Sequence, residues 1–464
     1  VEETSRKSAQ LKLQHMVNTI RQQIVFGSYK QGQFLPSEKA IAKEYELSNV
    51  TVREGLDILV SERLIEKIPR IGNRVVQPEQ YGIKVIQFAY YKSMILEAAL
   101  ERLIDGFHRT FPNIRVNLIP IDFNDPKKMM SLMDAGEVDV FSINHHGFLK
   151  FNEMNGTDYL EPLDFDDETY PFLKSAFLKD AQLKAKPFLF SPLVLCYNMQ
   201  HFQEQDLLEP DSGWRWDQLF EYADRLAVEN KRLGFYCHVL SLNRWPVFFL
   251  QSGKTFQRDA RGKVAIRGTP LMDGLRACKK FVELLNRNPL FLSENEKDAE
   301  ELFFKGKVSM IMTSYLRLNH YAQNLQFPFE LAPLPYLHEA ATLLQVIGLS
   351  VYERSKLKES AKCLVDYLTS YEAQLMIRQH TLSIPALKRA AEWKGVERSY
   401  RPSRFFMYRD IIPTYRPIDY LELSQQELDR FRGEAKLYWS GLETEQDICK
   451  RLEALLEHKP VGSL

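Results

Sequence analysis

Leu35-Pro36-Ser37-Glu38-Lys39-Ala40-Ile41-Ala42-Lys43-Glu44-Tyr45-Glu46-Leu47-Ser48-Asn49-Val50-Thr51-Val52-Arg53 decides how this chain is built. Ser37 and Ser48 each stand where a helix needs an N-cap, so the stretch predicts a short helix, a turn at Leu47-Ser48 and a second helix. Upstream, Leu11, Leu13, Met16, Val17, Ile20, Ile24 and Val25 recur at helical spacing and predict a helix over about 9–26, ended by Gly27. Downstream, the helix from Val50 to about Arg63 has Val52, Leu56, Leu59 and Val60 as its apolar face. Two β-prone pieces, Leu64–Ile68 and Asn73–Val76, flank Pro69-Arg70-Ile71-Gly72 and predict a hairpin.

Three helices followed by a hairpin make a winged helix-turn-helix. That layout sets the third helix in the major groove and the wing on the backbone or minor groove. Side chains at the start of the third helix must reach base edges, and nearby donors must meet phosphates. Ser48, Asn49, Thr51 and Arg53 are the candidates for the first task; Ser37, Lys39, Arg70, Gly72, Asn73 and Arg74 are candidates around them. The charge agrees mildly: residues 1–78 hold 12 Lys and Arg against 9 Asp and Glu, leaving 49 against 52 in the other 386 residues.

A length of 464 residues calls for more than one core. The 45% hydrophobic and 26% charged content is that of a globular protein, and no run of about 18 apolar residues predicts a membrane span. The opening VEETSRKSAQLKLQHM has no apolar run of signal-peptide length, so a cytoplasmic location is expected. Five scattered cysteines without CxxC spacing predict reduced thiols and no metal site.

After a polar boundary at 77–82, strand candidates Ile83–Phe88, Ile114–Ile119 and Val138–Ile143 alternate with helix candidates over about 94–110 and 127–133. That alternation predicts α/β architecture, with ligands bound beyond the carboxyl ends of strands. Tyr90-Tyr91 and Asn144-His145-His146 follow two of those strands and are the first ligand-site candidates. The His145-His146 pair is not expected to hold a metal, because adjacent residues on extended chain point opposite ways. Arg378, Lys388 and Arg389 are read as solvated surface. No GxSxG elbow, P-loop or HExxH occurs, so no enzyme activity and no cofactor are expected.

Two resemblances organise these readings. Gly32-x-x-Leu35-Pro36-Ser37-Glu38-Lys39, Leu47-Ser48-x-x-Thr51-Val52-Arg53-Glu54, Leu56-x-x-Leu59 and Arg63-Leu64-Ile65 leading to Gly72 resemble the GntR family of bacterial transcription regulators. The family pattern implies DNA contacts at Lys39, Asn49, Thr51 and Arg53 and a wing tip at Gly72. Asn49 stands where that family usually has Arg, and Arg70 where it has a second glycine.

Farther on, Phe111-Pro112-Asn113, Ala135-Gly136-Glu137-Val138-Asp139-Val140, Leu160-Glu161-Pro162-Leu163, Tyr197-Asn198, Trp216, Phe304-Lys305-Gly306-Lys307 and Ser370-Tyr371-Glu372-Ala373-Gln374 follow one another in order. Together they resemble the solute-binding proteins of ABC transporters, in the sugar-binding branch. This implies a two-lobed α/β fold of the type II periplasmic-binding-protein kind. The expected layout is a winged helix at 1–77, a linker at 78–82 and an effector domain at 83–464. Lobe I would comprise about 83–190 and 346–385, and lobe II about 196–343 and 386–460. The resemblance adds Asn243, Arg244, Trp245 and Tyr315 to the ligand-site candidates.

The combined expectation is a cytoplasmic, dimeric transcription regulator that binds double-stranded operator DNA and senses a small solute, a mono- or oligosaccharide, without membrane or cofactor. A transport receptor, or a regulator fused to a pyridoxal-phosphate aminotransferase-like domain, is the alternative.

Overall fold

A computed structural model describes residues 12–13, 15–21, 23–24, 28–76, 83–121, 125–286, 293–395 and 401–457. The expected linker at 78–82 and the ends of the expected 9–26 helix lie outside them.

In the head, helical residues between 12 and 24 bury Met16, Val17, Ile20 and Ile24 against Ile41, Val52, Leu56 and Leu59. Ser37 caps helix Glu38–Glu44 by accepting from the Ala40 amide, and Ser48 caps helix Asn49–Ser61 by accepting from the Thr51 amide at 3.1 Å. Each cap satisfies an amide that the first turn leaves without an intrahelical partner. Strands Ile65–Ile68 and Gly72–Val75 pair antiparallel as the wing, and residues 32–35 bond to its outer strand through Gly32, Gln33 and Leu35.

The larger unit is organised by one continuous ten-stranded sheet. Its path runs Ile114–Ile121, Lys84–Tyr91, Val140–Asn144, Thr342–Val351, Lys186–Asn198, Val308–Ser314 and Leu233–Tyr236. The first three pair in parallel, as the βαβ alternation requires. Lys186–Asn198 then changes partner along its length. Residues 186–192 pair with Thr342–Val351, whereas 193–197 pair with Val308–Ser314 and 195–198 with Phe329–Ala332.

The change of partner marks the crossing between two lobes. One core packs Ile86, Phe88, Leu103 and Phe107 against Leu364 and Leu368; another packs Trp216, Trp245, Phe248, Phe249, Phe431 and Trp439. A third runs through the crossing, joining Phe148, Phe177 and Phe190 to Tyr315, Tyr408 and Tyr415. Residues 386–392 stay on the first lobe, where the Ala386 amide bonds Phe188, the Lys388 amide bonds Glu168, and Tyr170 donates to Glu392. Among the described residues no helix is long and apolar enough to cross a membrane.

Two expectations need correction. The helix expected over 94–110 is broken into Met94–Glu97 and Leu100–Thr110, with Ala99 at φ +50° between them. Arg378 is buried rather than solvated: its guanidinium lies 5.1 Å from the ring centroids of Phe405 and Phe406, with Nε bonded to the Ala391 carbonyl. Planar stacking on aromatic faces lets a guanidinium lie inside a fold where an ammonium would not.

Gly234 shows how tightly the second lobe is set. A Cβ there would lie 1.9 Å from the Ala223 carbonyl oxygen and 2.4 Å from its Cα, so helix Trp216–Leu226 sits directly on strand Leu233–Tyr236. That strand leads into the 238–243 loop. Gly234→Ala is therefore expected to destabilise the fold by about 1–3 kcal/mol in a denaturant titration. An unchanged midpoint would refute this packing.

Candidate functional site

The exposed face of the head gathers most of the residues named for DNA. Ser37, Lys39, Ser48, Asn49, Arg53, Arg70 and Gly72 are exposed and Thr51 is half-buried. The Ser48 and Thr51 hydroxyls lie 2.8 Å apart, and Arg53 pairs with Glu38 at 2.6 Å. Exposed ion pairs of this kind contribute little to stability, so Arg53 can exchange its partner for a phosphate or base at small cost. Val50 and Ile71, 65% and 70% exposed, stand at the helix start and the wing tip. Asn73 does not join this face. Strand Gly72–Val75 alternates outward and inward, which turns Asn73 into the head at 7% exposure.

Arg70 has φ +67° and Gly72 φ +144°, both in the region that L side chains avoid. A glycine at 70 therefore has a steric rationale, and this chain has a cation in its place.

In the larger unit a cleft of about 760 Å³ opens at the crossing of the lobes. The strand ends and helix starts around it supply its lining. Tyr91, Asn144, His145, His146 and Asn243, five of the nine ligand-site candidates, line it. The His145-His146 pair lies in the first turn of helix His145–Glu153, not on extended chain, and this is why both reach one cleft. Asn144 caps that helix, its Oδ1 accepting from the Gly147 amide at 2.7 Å. The Tyr91 hydroxyl accepts from the Asn144 amide at 3.2 Å, and burial pushes its pKa up to about 12.

The other four candidates lie outside the lining. Tyr90 sits on the opposite strand face from Tyr91 and packs in the first-lobe core. Trp245 is fully buried and stacks on Phe431 at 5.3 Å, with 6° between the rings. Tyr315 is also fully buried; its hydroxyl donates to the Phe405 carbonyl at 2.9 Å. Arg244 is 2% exposed and acts from behind, pairing with the lining residue Glu296 at 2.9 Å.

The lining also includes polar residues that were not among the candidates, Glu97, Ser241, Glu296, Ser314, Arg317 and Gln345, beside aliphatic ones such as Ile121, Leu344 and Ile347. Glu97 is 4% exposed and accepts from Ser93 at 2.9 Å; burial raises its carboxyl pKa against the pull of Arg317. Burial acts on Glu296 too, but Arg244, Ser241 and Asn243 outweigh it and hold its pKa below the usual range. Arg317 pairs with Glu300, while Arg432 pairs with Asp429 at 3.0 Å. Burial pushes His146 down to about 4 and also lowers His145, so both are neutral imidazoles near neutral pH. The cleft thus offers paired charges, amides, hydroxyls and neutral imidazoles around one aromatic face, that of Tyr91. Among the described residues no group of three His, Cys, Asp or Glu could hold a metal.

Residues 102–399 match the family model of bacterial extracellular solute-binding proteins. The chain belongs to that family. It carries a head of the bacterial gntR regulatory family, matched over residues 13–75. Its larger unit has the fold of solved solute-binding proteins. An ABC substrate-binding protein from Listeria monocytogenes in complex with cycloalternan superposes with a TM-score of 0.68 at 19% identity, over 81% of this chain and 98% of that one. The GacH receptor of Streptomyces glaucescens gives 0.68 at 17% identity, over 81% and 99%. Maltose-bound MalE3 of T. maritima gives 0.65 at 19%, over 80% and 99%. The aminotransferase-like alternative gains no support from this fold.

The head is 34% identical over 76 residues to the mannosyl-D-glycerate transport/metabolism system repressor of Escherichia coli (strain K12). That match covers 16% of this chain and 31% of the repressor's own length, about a third.

Two outcomes follow for these sites. Arg70→Gly is expected to relieve about 1 kcal/mol of backbone strain while lowering the salt slope of operator binding by about one unit, read by anisotropy at several salt concentrations. An unchanged slope would leave Arg70 off the phosphates. The depressed pKa of His146 predicts a stability that is complete above about 6.5 and declines as the pH falls towards 4, because the unfolded chain takes up the proton first. Thermal unfolding across that window should show the decline, and His146→Gln should make it shallower.

Proposed function

We propose that this protein is a transcription regulator that binds operator DNA through its winged helix and senses a sugar in the cleft of its solute-binding unit. The observation that carries the reading is the joining of the two units in one chain. A solute-binding fold presents a cleft at a lobe crossing, and a GntR head presents exposed polar residues at the start of its third helix. The sugar assignment draws support from the ligands named for its structural neighbours, cycloalternan and maltose. It draws further support from a lining rich in hydroxyl-binding groups. A cytoplasmic location and a homodimer reading two half-sites belong to the same proposal. The alternative role of transport receptor leaves the head without a task.

The coupling would run through charge. Arg21 and Glu62 of the head form a two-pronged pair, with Nε–Oε2 at 2.8 Å and Nη2–Oε1 at 2.7 Å. This pair bears electrostatically on Arg115 of strand Ile114–Ile121 and Arg21 bears on His108, both in the first lobe. Arg115 is 4% exposed, and burial with the Arg21 charge lowers its pKa against the pull of Glu62. Movement of the first lobe is thereby felt by the residue that ties the first helix of the head to the end of the third.

Operator affinity measured with and without a saturating cleft sugar tests the proposal. A several-fold change in Kd is expected, equivalent to the 1–3 kcal/mol typical of allosteric coupling. Arg115→Ala should preserve both separate affinities and shrink that change. If saturating sugar leaves operator affinity unchanged, the sensing role fails.

A further inference from the structure

Three helices begin at the cleft: His145–Glu153, Glu296–Phe304 and Tyr315–Asn324, of nine, nine and ten residues. Their first turns hold amides without intrahelical partners and the positive end of each helix dipole. Asn144 and Asn295 each cap their helix with a side-chain oxygen. Ser314 does not. It is 2% exposed, lines the cleft, and its hydroxyl makes no capping bond at the start of Tyr315–Asn324. The Tyr315 amide is already held by Ser191 at 2.7 Å, so the open donors at this end are the Ser314 hydroxyl and the following amides.

The side chains around these helix starts lean the same way. Lys92, Lys150, Lys297, Arg317 and Arg432 line the cleft against Glu97, Glu294 and Glu296. Glu296 is already neutralised by Arg244, and burial favours the uncharged form of Glu97. Lys150 has no ion-pair partner among the described residues, whereas Arg317, Arg432 and Lys297 are paired with Glu300, Asp429 and Glu301. His145, 4% exposed at another helix start, has an Nδ1 without a hydrogen-bond partner. A neutral sugar has hydroxyls for such donors but no charge to match the dipoles. An oxyanion matches both.

We infer that the cleft takes a sugar bearing an anionic group, a carboxylate or a phosphate, with that group seated at the start of helix Tyr315–Asn324 and held by the Ser314 hydroxyl and the first-turn amides. This rests on the sugar reading of the cleft and narrows it.

The test is isothermal titration of the full-length protein with matched probes: neutral hexoses, their 6-phosphates and their uronic acids, together with inorganic phosphate. At least one acid-bearing sugar is expected to bind ten-fold or more tightly than its neutral parent, with a Kd that rises as salt is added. The phosphate and carboxylate arms show which oxyanion is recognised. Ser314→Ala should weaken that probe by about five- to ten-fold, and Ser314→Thr, which keeps the hydroxyl, should recover much of the loss. A neutral hexose binding as tightly as its acid derivatives, without salt dependence, overturns the anion inference and leaves the sugar reading standing. Binding of inorganic phosphate with no sugar of either kind supports the anion seat and removes the sugar reading. Silence across the whole panel overturns both.

Discussion

Strand Lys186–Asn198 has to satisfy two sets of neighbours with one backbone, and the larger unit is arranged around that constraint. Up to Pro192 its carbonyls and amides pair with Thr342–Val351; from Leu193 they pair with Val308–Ser314. The switch falls at Ser191-Pro192-Leu193, where proline has no amide to give either side. Side chains tie the backbone there. Ser191 Oγ donates to the Pro192 carbonyl and accepts the Tyr315 amide, while Thr342 donates to the Leu193 carbonyl at 2.7 Å. Because an unpaired buried polar group costs about 1–3 kcal/mol, these three bonds hold the crossing in register. The cleft lies beside it because the sheet changes partners there.

This constraint explains what was legible in the residues. The alternation of strands and helices, the Ser37 and Ser48 caps and the ordered landmarks are local signals, and the elements they mark are present. Tyr91, Asn144, His145 and His146 follow strand ends, where α/β sheets place their ligand sites, and all four line the cleft. Tyr90, one position from Tyr91 in a period of two, packs in the first-lobe core instead. Trp245 and Tyr315 are buried in the core; an aromatic near a helix start suits the core as well as a cleft, and no sequence pattern tells the two apart. Glu97 was hidden by the break at Ala99: a left-handed alanine has no sequence signature, and the apolar pattern runs through it unbroken. Glu296 enters the cleft at a helix start that follows no strand end, and Arg317 in the first turn of the helix that Tyr315 begins.

The head and the cleft place different demands on charge. On the head, cations are exposed and only loosely paired, which suits a polyanion whose binding is driven by counterion release. Around the cleft, two ion pairs each have one buried partner: Arg244 with Glu296 and Glu300 with Arg317. Breaking a buried pair is strongly destabilising because it strands the remaining charge. The cleft's shape is accordingly pre-organised, with little side-chain freedom left to lose on binding.

Pre-organised walls also set what a ligand can do to the head. If each lobe is rigid, the ligand's differential affinity goes into the angle between lobes and not into rearranging side chains. Such a change of angle would fall at Ser191–Leu193 and in Thr342–Val351, which lie in the middle of the sheet path, away from the edge strand Ile114–Ile121. The edge strand carries Arg115, which feels Arg21 and Glu62 of the head. A head attached to one lobe rides with that lobe, so a single rotation moves it relative to the other lobe without any change in its own fold. In a dimer the same rotation alters the spacing of two recognition helices, and DNA half-sites about 34 Å apart are sensitive to such a change. The electrostatic coupling at the edge strand would then act as a stiffener: the stronger it is, the larger the share of lobe rotation that would reach the DNA.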